Sequence, residues 1–235
     1  MLHIAVINEA TSISDAEVKK MIPAFTSQWN AELNSVWGVG DATFSFTRKQ
    51  KAPATGSWWV VFFENHDQAD ALAYHDLTNE GLPIAKVFVK TCLAGKSSVS
   101  VAASHEICEM AVDPWLNGAF QDEHLVFWSA EVCDPVEDDQ YGYEIGGILV
   151  TDFVTPNWFG HPHVTGPIDF RGHARAPFEV LTGGFARKFD SQSGWQQITG
   201  TIAEKSDRAH AARGSRRERR VRGWKNWKRS AHRWG

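Results

Sequence analysis

The run Ser104-His105-Glu106-Ile107-Cys108-Glu109-Met110 sets an imidazole and two carboxylates within one helical turn of an otherwise apolar stretch. Any fold must give these groups water, each other, or a cation, because an isolated buried charge is prohibitively costly. On a helix His105 and Glu109 are four apart and share a face, with Glu106 beside them. Two ligands and a general base at one helical face is a metal-site pattern. The same spacing also suits a solvent-facing i,i+4 pair, so the neighbours must decide between the two.

At 235 residues and 43% apolar, with 11 Trp and 14 Phe, the chain can fill the core of one large domain or two small ones. No apolar run approaches the roughly 18 residues of a membrane span. The N-terminal residues 1–8 lack a basic region and a cleavage site and read as a first strand, which points to a cytoplasmic or virion-associated protein. Cys92, Cys108 and Cys133 are odd in number and widely spaced, which argues for reduced, buried thiols over a disulfide framework. Thiolate coordination by Cys108 or Cys133 stays open beside burial. Residues 203–235 hold 12 of the 24 Lys and Arg but 3 of the 28 Asp and Glu, so a +9 tail follows a −13 body. Such an asymmetry marks the tail as a separate element.

In chain order, 2–7 read as a strand, and Ser14-Asp15-Ala16-Glu17 as a capping box opening a helix whose apolar face is Val18, Ile22, Phe25, Trp29 and Leu33. Pro23 predicts a kink or a shifted start, and Gly38 with Gly40 the end. Strands are expected at 42–48, 57–63, 71–75 (as an edge) and 84–90. A helix over about 98–112 then carries His105 and stops at Asp113-Pro114. Beyond it come an acidic cluster, a glycine-containing hairpin within 145–154, and short strands around Trp158, 177–180, 185–189 and 194–195. The expected class is α+β: a mixed sheet with a packed N-terminal helix and a metal-site helix in 1–113, then a loop- and hairpin-rich subdomain, 114–202, closing a cleft. Residues 203–235 are expected to form a disordered basic tail.

A helix-borne site needs a ligand from elsewhere, and Glu131 lies 22 residues beyond Glu109 with Asp134 close behind. With strand, helix, strands, H-E-x-x-E and E-x-x-D in this order, the chain resembles the zincin-like, and in particular gluzincin-like, metallopeptidases, whose H-E-x-x-H helix carries a histidine where Glu109 stands. It is also similar to a family of uncharacterised bacterial and phage proteins sharing S-H-E-x-x-E-M-x-x-D-P and E-x-C-D-P-V-E, here 104–114 and 131–137. The likeness covers about residues 1–200. It implies a zincin-like fold in which His105, Glu109 and Glu131 bind one Zn²⁺, Asp134 orients the histidine, and Glu106 takes the proton of a water attacking a peptide bond. Tyr141, Tyr143, His163 and His75 are the candidates for stabilising the oxyanion.

The second glutamate brings an extra negative charge to the metal, which predicts weaker Lewis acidity and tolerance of Mn²⁺ or another oxygen-preferring ion. Asp113, Asp134 or Cys133 stand as alternatives for the third ligand. His161-Pro162-His163 reads as a turn more than a ligand pair, and His75-Asp76 as either a surface turn or the lining of a substrate cleft. Glu137-Asp138-Asp139 lacks the spacing of a calcium loop. The tail at 213–229 interleaves cations with Trp224 and Trp227, a pattern suited to nucleic acid, anionic lipid or an acidic protein surface. Two functions are therefore expected in competition. One is a zinc-dependent peptidase. The other is an inactive, zincin-shaped structural or interaction protein, such as a virion or assembly component, that binds through its tail.

Overall fold

The computed structural model of the chain describes residues 1–49, 51–68, 71–160 and 166–200. Its main sheet has the order β2-β1-β3-β5-β4, built from β1 (Leu2–Asn8), β2 (Ala42–Thr47), β3 (Trp58–Phe63), β4 (Ala73–Leu77) and β5 (Pro83–Phe88). The central strand β3 is apolar throughout, as a strand flanked on both sides must be. Strands β1, β2, β3 and β5 run parallel, and β4 lies antiparallel at the edge. With helices against one face of this mixed sheet, the architecture is α+β.

Helix α1 (Asp15–Ser27) starts at the expected capping box, with Ser14 Oγ accepting from the Glu17 amide and Glu17 accepting from the Ser14 amide. Pro23 neither ends the helix nor moves its start. The irregularity comes later instead, as a widened π-helical segment at Gln28–Leu33 leading into α2 (Asn34–Trp37). In that segment Gln28, Trp29 and Leu33 are all buried. Gly38, with φ +65°, supplies the left-handed residue that ends the helix.

One apolar core fills the helical face of the sheet. It gathers Ile4, Val6, Val60, Phe62 and Val87 from the strands, Phe25, Trp29, Ile107 and Met110 from the helices, and Phe153 and Trp158 from the second half of the chain. A smaller cluster of Ala5, Ile7, Val61 and Ile84 occupies the opposite face.

After the short α3 (Val89–Ala94), helix α4 (Val99–Val112) is capped by Ser98 and stops at Asp113. Every residue from Val99 to Ala111 is buried, so the helix has no solvent face. Asp139 accepts from the Ser98 amide at 2.8 Å, placing a carboxylate where the helix dipole favours one. Asp138 caps its own turn through the Gln140 amide, so these two members of the acidic cluster are capping groups. Two serines bind α4 to the second half of the chain. Ser100 Oγ donates to the Leu149 carbonyl at 2.6 Å, and Ser104 Oγ accepts from the Thr151 amide at 2.8 Å.

The hairpin that receives them, β8 (Tyr143–Ile145) and β9 (Ile148–Val150), turns at Gly146-Gly147 with φ positive at both residues. A second, antiparallel sheet has the order β11-β10-β7-β6, from β6 (Ala119–Gln121), β7 (Phe127–Ser129), β10 (Phe185–Asp190) and β11 (Gly194–Thr199). Two expected strands do not form. Pro156 and the left-handed Gly160 confine the Trp158 region to a 3-10 turn, and Phe178 at φ +61° bends 177–180 out of any extended run. Among the described residues no helix is long and apolar enough to cross a membrane. His161-Pro162-His163 and the basic tail 203–235 lie outside them.

Because Ser104 is fully buried, Ser104→Ala would leave the Thr151 amide without its acceptor. The substitution is expected to cost about 1–3 kcal/mol in a urea titration.

Candidate metal centre

Three elements bring six ionisable side chains into one buried space. Helix α4 contributes His105 and Glu109 at one turn's separation, with Glu106 between them. Strand β4 contributes His75, which is opposite Ala85 in the sheet and shares the inward parity of Ala73. The chain segment ahead of a short 3-10 turn at Asp134–Val136 contributes Glu131 and Asp134. Each of the six is at most 5% exposed.

Within this space the donors form two groups that share Glu109. His105 Nε2 lies 3.2 Å from Glu109 Oε1 and 3.2 Å from Asp134 Oδ1. His75 Nδ1 lies 3.6 Å from Glu109 Oε2, and its Nε2 lies 3.9 Å from Glu131 Oε2. In each group one donor atom per side chain can be chosen so that all three fall within 4.8 Å of one another. Glu106 Oε2 accepts a hydrogen bond from His75 Nδ1 at 3.3 Å, and the Cys133 amide donates to Glu109 Oε1 at 3.3 Å. Among the described residues, neither His75 Nε2 nor His105 Nε2 finds a hydrogen-bond partner.

The electrostatics follow from four carboxylates and two imidazoles buried together. Burial pushes Glu109 up to about 8, helped by repulsion from Asp134 and Glu131 and opposed by His105. Burial alone would lower both histidines. The surrounding carboxylates more than offset it, raising His75 and lifting His105 well above the ordinary imidazole value. With all four carboxylates ionised and both imidazoles protonated, the six side chains sum to −2. A divalent cation is the natural complement of such a set.

His105, Glu106, Glu109, Glu131 and Asp134 are thus brought together, but not in the expected roles. Asp134 approaches His105 directly, while Glu131 stands on the side of His75. Of the alternative third ligands, Asp113 spends Oδ1 on the amides of Asn117 and Gly118. Cys133 is fully buried, which pushes its thiol well above the usual range and leaves it a neutral, poor ligand. Tyr143 is placed elsewhere, with its hydroxyl donating to Glu32 and accepting from Gln28. Tyr141 packs its ring on that of His173. His163 lies outside the described residues. His75 enters as a first-rank member of the site, where the sequence offered only a cleft-lining or oxyanion role. Its signal was a histidine at an inward position of an apolar edge strand.

A third cluster stands apart in its chemistry. Asp152 and Asp169 are fully buried side by side, with His173 Nδ1 3.1 Å from Asp152 Oδ2. Backbone amides of Phe153 and Arg171 bond Asp152 Oδ1, and those of His173 and Ala174 bond Asp169. The pair staples a loop and has its oxygens already engaged. Burial and the neighbouring Asp169 push Asp152 up to about 9, so it holds a proton at neutral pH.

Compared with family models, curated proteins and solved structures, the chain matches none.

The Asp152 pair yields a pH prediction. In the unfolded chain Asp152 loses its proton near pH 4, whereas in the fold it keeps it to about 9. The wild type therefore loses stability as pH rises through that window, by at most about 1.4 kcal/mol per pH unit from this group. Asp152→Asn mimics the protonated acid. Its melting temperature relative to wild type is expected to rise steadily from pH 5 to 9, and a constant offset would disprove the assignment.

Proposed function

We propose that this protein is a metal-dependent hydrolase of the zincin-like kind. In this reading His105, Glu109 and Asp134 hold a divalent ion, Glu106 acts as the general base, and a peptide bond is the substrate that the resemblance implies. The observation that carries it is His105. Among the described residues its buried Nε2 makes no hydrogen bond, yet it sits 3.2 Å from one oxygen of Glu109 and one of Asp134. Ligand atoms bound at about 2.0–2.2 Å around a tetrahedral ion stand roughly 3.3–3.6 Å apart, so these three donors have close to the spacing of a ligand set.

The surrounding architecture supports the same reading. Strand, helix, strands and metal-type helix follow in the order that the resemblance requires. Strand β4, at the edge of the sheet, passes beside the site through His75, where an extended peptide can pair with a strand. One histidine among several carboxylates is an oxygen-rich donor set, which suits Mn²⁺ as well as Zn²⁺.

A divalent ion bound there supplies Lewis acidity and lowers the pKa of a coordinated water. The protein's own part is to accept and store the proton. In this reading Glu106 takes it, and His75 Nδ1, 3.3 Å from Glu106 Oε2, lies within reach to stabilise it. The buried walls around these side chains exclude bulk water.

Elemental analysis of the full chain, purified without chelator, is expected to show bound divalent metal, and His105→Ala to lose it. Glu106→Gln should keep the metal while lowering hydrolysis of a peptide library by about 10²–10⁴-fold. Metal-free wild type would refute the metal centre. Metal-replete wild type that cleaves no peptide, with Glu106→Gln behaving identically, would instead assign the protein to the non-catalytic class.

A further inference from the structure

Glu109 presents its two oxygens to two different histidines. Oε1 faces His105, and Oε2 faces His75. Each histidine then has a carboxylate of its own, Asp134 for His105 and Glu131 for His75. The two triads repeat the same chemistry, one imidazole with one private and one shared carboxylate, and in each one donor atom per side chain can be chosen so that all three lie within 4.8 Å of one another.

From this arrangement we infer that the centre is dinuclear, with Glu109 bridging one divalent cation held by His105 and Asp134 and a second held by His75 and Glu131. The inference rests on the metal-centre reading above and extends it by a second ion.

Three observations carry it. First, the imidazole Nε2 atoms of both histidines are buried and without hydrogen bonds, at 5% exposure for His105 and 1% for His75. A single ion at His105 would leave the His75 lone pair unused. Second, His75 Nδ1 is engaged by Glu106, the arrangement by which a carboxylate orients an imidazole and leaves its other nitrogen for a metal. Third, the charge balance favours two ions. One dication brings the four carboxylates to −2 with neutral histidines, and two dications bring them to neutrality, a state a fully buried cluster strongly prefers. Ions in two-metal sites stand about 3.5–4 Å apart, close enough that one would activate the attacking water while the other polarised the carbonyl of the same peptide bond.

The competing arrangement keeps one ion at His105 and leaves His75 as a protonated imidazole among Glu106, Glu109 and Glu131. The number of ions bound separates the two. Full-length protein would be equilibrated with Mn²⁺, gel-filtered, and assayed for metal per chain, with its low-temperature electron paramagnetic resonance spectrum recorded. Two equivalents and an exchange-coupled spectrum are expected in the wild type. His75→Ala and, separately, Glu131→Gln should each reduce the content to one equivalent and restore the hyperfine sextet of an isolated Mn²⁺. Circular dichroism would confirm that each variant is folded.

One equivalent in the wild type, unchanged in His75→Ala, would overturn the second ion and leave the mononuclear reading standing. No metal at all would overturn both. The wild-type count and spectrum test the inference even if a variant fails to fold.

Discussion

The mutual repulsion of four carboxylates inside the protein is the constraint on which the rest of the structure depends. Glu106, Glu109, Glu131 and Asp134 reach the same buried space from two separate segments, and among the described residues two imidazoles, His75 and His105, are brought in with them. Such a set would tend to open the fold unless its positions were held from outside. The bracing is visible around it. Ser100 and Ser104 tie α4 to Leu149 and Thr151, Asp139 caps its start, and the Cys133 amide holds Glu109. The buried cluster is therefore held in place by contacts from residues that do not themselves belong to it.

That bracing explains why the two halves of the chain share one core. Helix α4 is buried on every side, so a sheet alone cannot cover it. Strands β4 and β5 lie along part of its surface, α1 and α3 along another, and the β8–β9 hairpin along a third. The π-helical segment and α2 contribute to the same joint, since Gln28 donates to the Thr151 carbonyl and Trp37 to the Val154 carbonyl. Segments that would otherwise be loops become the far wall of the site.

Much of this was legible in the sequence where the determinants are local. The capping box at Ser14, the stop at Gly38 and the span of α4 from Ser98 to Asp113 are written in residues a few positions apart, and they form where expected. The effect of Pro23 was not legible, because tertiary packing carries the helix through it and displaces the irregularity to Gln28–Leu33. Tyr143 was misread for a related reason. The sequence offered it as one of four candidates for stabilising an oxyanion, but the hydroxyl is claimed by Glu32 and Gln28, more than a hundred residues earlier in the chain.

The sequence by itself determined the α+β class, the helix that carries His105, Glu106 and Glu109, and the pairing of that helix with Glu131 and Asp134. Helical period and short-range capping are enough for the helix, and chemical type for the rest. Only the tertiary structure decided how these acidic and imidazole side chains divide into two groups. Strand order places β4 at the edge beside α4 and so brings His75 in, and the turn at Asp134–Val136 sends Asp134 to His105 while Glu131 faces His75. Those are choices of direction in space, set by packing between segments far apart in the chain, and no spacing along the chain encodes them.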